Sequence, residues 1–209
     1  MQKKIHQLLN QEIINKSKYL SFKANEPIIQ TDESLQYLYY IIQGKAKIYQ
    51  YTENGKEMFI HFLSSDDWIG ELTFLNIEKE TKNVISIGET TVLAIPKKIV
   101  FEELLTDLDF LLEMNRFIGK KLLDRTQHFV KNQGYDLKYR LATLLVELSH
   151  DDLYSEKHTN IVNYLGVSYR HLLQTFKDFQ EENLIKKIDQ STYRINRNAI
   201  DKYYIHSKL

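Results

Sequence analysis

The sequence predicts an α+β chain: an N-terminal antiparallel β-roll, a long helix, and a C-terminal winged helix-turn-helix. Three observations carry that expectation. Between Phe22 and Ile95, short runs rich in β-branched and aromatic residues alternate with turn signals. After Pro96 the apolar residues recur every three or four positions as far as Val130. Near the C-terminus, a short helical pattern, a glycine and an amphipathic helical pattern follow one another.

Residues 1–20 come first. Ile5, Leu8, Leu9, Ile13 and Ile14 fall at helical spacing behind the basic start Met1-Gln2-Lys3-Lys4-Ile5-His6. No apolar stretch follows that start, so a secretory leader is not expected. Nor does any stretch approach the roughly eighteen apolar residues of a membrane helix. The expected location is the cytoplasm, away from membranes. Strand-like runs then occupy Tyr37–Ile42, Ala46–Tyr51, Glu57–Phe62, Val84–Ile87 and Thr91–Ile95. Between them lie the turn signals Asn25-Glu26-Pro27, Thr31-Asp32-Glu33-Ser34, Gln43-Gly44, Glu53-Asn54-Gly55 and Ser64-Ser65-Asp66-Asp67. Asn54-Gly55 is the strongest of these, because both residues tolerate the positive φ that tight hairpins need.

The helix after Pro96 carries two apolar stripes. Leu111, Ile118, Leu122 and Phe129 form one, and Leu112, Leu123, Thr126 and Val130 form the other. Two stripes on one helix suggest two packing partners, its own roll and a second copy of itself. The plainer alternative is a single amphipathic helix capping one domain. Gly134 is the expected stop. The domain division that follows is a roll over 1–96, a dimerisation helix and hinge over 97–133, and a DNA-binding unit over 134–209. Asp136 is placed to cap a helix running to about Leu148, and Asp151-Asp152 opens a polar loop reaching Thr159.

Two short helices come next. Ile161, Val162 and Leu165 of the first point to a core, Gly166 permits a tight turn, and Val167 fills the space between the helices. Ser168 is a good N-cap for the second helix. Leu172, Phe176 and Phe179 form its buried stripe, which leaves Tyr169, Arg170, Gln174 and Lys177 outward. Arg pairs bidentately with guanine and Gln with adenine, while Tyr can touch phosphate or a thymine methyl. A solvated face in a helical hairpin is the bland alternative. Strands over Lys186–Ile188 and Tyr193–Ile195 flank the turn Asp189-Gln190-Ser191-Thr192, so Lys186 and Lys187 offer further phosphate contacts.

Composition narrows the chemistry. Hydrophobic residues make up 43% and charged residues 27% of the 209, enough to bury ordinary cores. Cysteine is absent, which excludes disulfides, a thiol nucleophile and thiolate-bound zinc or iron–sulfur clusters. Lys+Arg and Asp+Glu each number 28, so net charge does not point to nucleic acid. From His158 onward, however, eight Lys/Arg meet five Asp/Glu. A metalloenzyme on a cupin-like roll needs clustered His and carboxylates, and the roll offers only His61. Gly44, Gly55 and Gly70 are isolated turn glycines rather than a phosphate cradle. Neither catalysis, nor a metal, nor a cofactor is expected.

Three stretches add a resemblance. They are Glu53-Asn54-Gly55-Lys56-Glu57-Met58 running on to Asp67-Trp68-Ile69-Gly70-Glu71-Leu72, then Asp136-Leu137-Lys138-Tyr139-Arg140-Leu141-Ala142-Thr143-Leu144-Leu145, then Leu165-Gly166-Val167-Ser168. In that order they resemble the Crp/Fnr superfamily of bacterial regulators, from about Phe22 to Ile195. They are similar to its hairpin and phosphate-binding cassette, its D-helix signature and its helix-turn-helix. The segment Val167-Ser168-Tyr169-Arg170-His171-Leu172-Leu173 resembles the YeiL-like branch. The resemblance implies a cyclic-nucleotide-binding-domain-like roll and a homodimer built on Leu111, Ile118, Leu122 and Phe129. It also implies double-stranded DNA with an inverted-repeat site, and RNA polymerase, as partners.

The same resemblance places effector-binding positions at Gly70, Glu71, Leu72, Thr81, Lys82, Arg125 and Thr126. There the chain departs from the family. Relatives that bind cyclic nucleotides carry Arg-Ser or Arg-Thr after the cassette glycine, and the guanidinium pairs with the cyclic phosphate. Here Thr81-Lys82 occupies those positions, and lysine lacks the planar fork. Glu71, which would face the ribose hydroxyl, is present. Cyclic AMP is therefore not the expected effector, and the identity of any small-molecule effector stays open. Arg125 either supplies an anion-binding charge from the helix or is an exposed or interface arginine. The competing function is a small-molecule sensor module whose C-terminal domain contacts protein rather than DNA.

Overall fold

The computed structural model describes residues 5, 8–31, 34–55, 57–149 and 151–206. Residues 1–4 and 6 of the basic start lie outside the described residues, as do Asp32 and Glu33 of one expected turn, Lys56 and Lys208. The chain divides into two compact units, Met1–Leu122 and Leu123–Leu209.

The first unit is the antiparallel roll. Helix α1 (Gln11–Lys16) starts where the Asn10 side chain accepts the Ile13 N–H at 2.9 Å. It ends at Ser17, so the helical spacing expected through residue 20 stops early. Lys18–Phe22 is instead strand β1, paired with Thr90–Ala94, because Leu20 and Phe22 turn alternately toward the core. Strands β2 (Pro27–Ile29), β3 (Tyr37–Tyr51), β4 (Glu57–Ser64), β5 (Trp68–Ile69) and β6 (Asn83–Pro96) complete a sheet with the path β1-β6-β3-β4. Thr52–Gly55 forms the expected turn between β3 and β4, closed by the Gly55 N–H on the Thr52 carbonyl at 2.8 Å.

Gln43-Gly44, expected as a turn, does not reverse the chain. The runs Tyr37–Ile42 and Ala46–Tyr51 are one strand, and so are Val84–Ile87 and Thr91–Ile95. The register between β3 and β6 slips at Gln43–Lys45, which makes a bulge. Gly44 has φ +101, and a Cβ there would stand 2.5 Å from the Glu89 carbonyl oxygen. Only glycine lets the two backbones approach this closely. The Thr90 hydroxyl secures the bulge by donating to the Lys45 carbonyl at 2.7 Å. Two long strands bent at a bulge give the roll its curvature.

After β5 comes the short helix α2 (Glu71–Phe74), and after β6 come α3 (Lys97–Glu102) and the long helix α4 (Leu108–Gly134). Asp107 caps α4 by accepting the Phe110 N–H at 3.0 Å. That phase buries Phe110 and Met114, neither of which belonged to the expected stripes, and Phe110 meets Trp68 edge to face at 5.6 Å. Phe117 and Ile118 pack against the same core and are half-buried.

The second unit holds the end of α4, α5 (Leu137–Leu148), α6 (His158–Leu165) and α7 (Tyr169–Glu181), then strands β8 (Ile185–Lys187) and β9 (Tyr193–Ile195). Asp136 precedes α5 as expected, but its side chain makes no capping bond. The loop expected from Asp151 to Thr159 is also shorter than read. Asp151 and Asp152 turn the chain with positive φ, and Leu153–Tyr154 then pairs with β9 as strand β7. Two residues are too short a run to show alternation, so pattern could not reveal them. The β8 strand begins at Ile185, one residue before the expected start, because Ile185 is buried and Ile188 is exposed.

Candidate nucleic-acid interface and sensor cassette

The helix-turn-helix lies within the second unit. Gly166 ends α6 with φ +63, and the N–H groups of Gly166 and Val167 both return to the Val162 carbonyl. Ser168 then accepts the His171 N–H at 3.2 Å and starts α7. Leu172, Phe176 and Phe179 are buried, with His158 stacked on Phe176 at 4.5 Å behind them. That packing leaves Tyr169, Arg170, Gln174 and Lys177 exposed on one side of α7, the arrangement expected from the sequence. Three of the four have neighbours of their own, Tyr169 through the His158 ring at 6.4 Å. Gln174 donates to Asp178 at 2.8 Å, and Lys177 stands 3.7 Å from Glu181.

The basic excess of this segment sorts itself once partners are assigned. Arg197 is held by Asp152 at 2.6 Å and by Ser149, and Lys202 by Glu182 at 3.0 Å. Arg170, Lys186, Lys187 and Arg194 have no carboxylate within pairing distance among the described residues. Lys186 and Arg194 face each other directly across the β8–β9 ladder. Like charges in that position repel each other, which costs some strand-pairing stability. The sequence reading missed Arg194, although Tyr193-Arg194-Ile195 alternates and so turns Arg194 outward. An open concavity beside the pair is lined by Gln180, Asn183 and Asn196.

The sensor cassette lies in the first unit. Gly70 packs on the Leu35 side chain and opens α2, where Glu71 is only 3% exposed. The Lys121 ammonium of α4 approaches Glu71 Oε1 to 2.7 Å, with side-chain exposures of 11% and 4%. Lys121 also lies 5.3 Å from the Phe117 ring centroid. The sequence reading did not single out this lysine. Leu72 is half-buried, and its carbonyl accepts the Ile77 and Glu78 N–H groups. Lys82 forms an ion pair with Glu78, which also accepts the Thr73 hydroxyl at 3.1 Å. Thr81 is buried, and its hydroxyl has no hydrogen-bond partner among the described residues.

The charged groups of this cassette pair with one another. Glu71, at the position that the family resemblance assigns to the ribose, is neutralised by Lys121, and Lys82, at the position of the family's arginine, is neutralised by Glu78. Arg125 and Thr126 are exposed on α4, as are Leu122 and Phe129, each at 64%. Leu111 and Ile118 of the same expected stripe are half-buried.

His128, near the end of α4, stacks on Tyr164 with centroids 3.9 Å apart. Burial first, then Lys131 and Arg140, push its pKa from 6.5 down to about 4. Between those values the unfolded chain takes up a proton that the folded chain refuses, so stability falls as pH falls. The slope stays below the roughly 1.4 kcal/mol per pH unit of a whole proton, because the ring is only partly buried. In His128→Phe that loss should shrink, as read from unfolding midpoints across the window. Burial also depresses His158, which keeps part of the effect. An unchanged pH profile in the variant contradicts this account.

Comparison with known proteins agrees with the geometry. Residues 19–107 match the cyclic nucleotide-binding domain family. Regulatory protein YeiL of Escherichia coli O157:H7 is 32% identical over 179 residues, which span 86% of this chain and 82% of that protein. The cAMP-activated global transcriptional regulator CRP of Salmonella typhimurium is 25% identical over 175 residues, 78% of this chain and 83% of that protein. FixK2 from Bradyrhizobium japonicum shares the fold with a TM-score of 0.67 at 15% identity, covering 92% of this chain and 99% of its own. A CRP/FNR-family transcriptional regulator from Thermus thermophilus does so with a TM-score of 0.71 at 14% identity, covering 89% and 97%.

Proposed function

This chain belongs to the Crp/Fnr superfamily of transcription regulators, and from that premise we propose a homodimeric, sequence-specific DNA-binding regulator that acts without cyclic AMP. The observation that carries the proposal is the exposed set Tyr169, Arg170 and Gln174, in a unit whose Lys186, Lys187 and Arg194 have no carboxylate partner among the described residues. The N-terminal residues of α7 read base edges in the major groove, with Ser168 setting the helix start. Lys177, Lys186, Lys187 and Arg194 contact phosphates. Residues 1–96 form the sensor, 97–133 the dimerisation helix and 134–209 the DNA reader. The setting is the cytoplasm, and RNA polymerase is the machinery acted on.

Pairing of two copies is supported by exposed Leu122, Leu123, Phe129 and Val130, apolar side chains that a lone helix would leave in water. Two copies related by a two-fold axis read an inverted repeat with half-sites about 34 Å apart. The alternative, a C-terminal unit that docks protein, gives no role to the base-reading set Tyr169, Arg170 and Gln174 at the start of α7. The decisive variant is Leu122→Asp combined with Phe129→Asp. It is expected to be monomeric by light scattering and to lose at least tenfold in affinity for an inverted repeat, while retaining its fold by circular dichroism. A variant that stays dimeric, or a monomer that binds as tightly as the parent, contradicts the proposal.

A further inference from the structure

The turn of the helix-turn-helix is held from outside by two residues that the DNA-reading face does not include. The last carbonyls of a helix have no partner within it. At the end of α6, Asn132 Nδ2 donates to the Tyr164 carbonyl at 3.1 Å, and Arg140 Nη1 donates to the Leu165 carbonyl at 2.7 Å. Arg140 Nη1 also donates to Asn132 Oδ1 at 3.2 Å, which fixes the orientation of the amide. Asn132 lies in the last turn of α4 and Arg140 in the first turn of α5. The guanidinium therefore ties three helices together at one point, and its charge favours the negative end of α6.

We propose that Asn132 and Arg140 are positioning residues that transmit the placement of the long helix to the base-reading helix. The route is short: the Tyr164 and Leu165 carbonyls, then Gly166 with its single turn, then Ser168, whose hydroxyl caps α7. Packed against Tyr164, His128 backs the clamp; Lys131 and Arg140 face its ring, Asp136 faces Arg140, and Asp124 and Glu147 face Tyr164. Lys131 and Arg140 are both cationic, so the neutral ring suits the site. This inference rests on the proposed DNA reading, because it assigns what sets the reading helix.

The test uses the full-length protein with Arg140→Lys and Asn132→Ala. Lysine keeps the charge but cannot serve two acceptors with a planar fork. Both variants should lose about tenfold or more in the ratio of specific to non-specific DNA affinity. The dependence of binding on salt should be unchanged, because neither residue touches phosphate. Amide exchange at Gly166 and Val167 should speed up in both, measured without DNA, whereas a change confined to global stability would leave their exchange in step with the rest of the core. A salt slope reduced by about one in Arg140→Ala, where the charge is removed, would make Arg140 a phosphate ligand and overturn the proposal. Wild-type discrimination in the variants, or unchanged exchange at the turn, overturns it too. If the parent shows no specific binding, the DNA reading fails, and the exchange measurement still decides the clamp.

Discussion

Replacing Lys121 with alanine is expected to destabilise the first unit by about 3–5 kcal/mol, the cost of stranding a buried charge without its partner. Glu71 is only 3% exposed, and its Oε1 lies 2.7 Å from the Lys121 ammonium. The double variant Lys121→Met with Glu71→Gln removes both charges and should recover most of the loss, since a neutral, packed pair is often as stable as a buried ion pair. Denaturant unfolding of Lys121→Met, Glu71→Gln and the double variant closes a cycle that isolates the coupling. A Lys121→Ala cost below about 0.5 kcal/mol would put the pair in the class of exposed surface bridges and contradict its being a buried ion pair.

The second large effect concerns sequence discrimination. Arg170→Ala and Gln174→Ala should each cost about 1–3 kcal/mol at a single base-pair position, through loss of a bidentate base contact. Lys186→Ala and Arg194→Ala should instead weaken all duplexes alike and lower the salt slope by about one each. Lys177→Ala belongs to the second group, with a smaller effect because Glu181 already lies 3.7 Å from its ammonium. Preference profiles from a randomised duplex pool, taken for each variant, separate the two groups. Uniform loss in Arg170→Ala and Gln174→Ala would move both residues from base reading to phosphate contact.

The helix-turn-helix was legible because each of its determinants is local. Gly166, Ser168 and the Leu172–Phe176–Phe179 spacing lie within one short segment, and each does in the structure what its chemistry requires. The roll was legible as strands but not as bent strands. Gln43-Gly44 carries the same local signal for a turn and for a bulge, and only the pairing of β3 with β6 decides between them. The buried side of α4 was partly misread, because Phe110 and Met114 sit among other apolar residues and the Asp107 cap sets which ones turn inward. The Glu71–Lys121 pair was out of reach for a simpler reason. Its members are far apart in sequence, and no spacing rule links a carboxylate in a short helix to a lysine on a long one. Arg194 could have been found, since strand alternation alone sets it opposite Lys186.

The most direct test of the central claim is selection of binding sites from a randomised duplex pool by the full-length protein, with and without cyclic AMP. The account predicts enrichment of an inverted repeat whose half-sites lie about one helical turn, or 34 Å, apart. It predicts the same enrichment without the nucleotide, because Lys121 and Glu78 already neutralise the groups a nucleotide would engage. No enrichment, or enrichment that appears only with cyclic AMP, would contradict it.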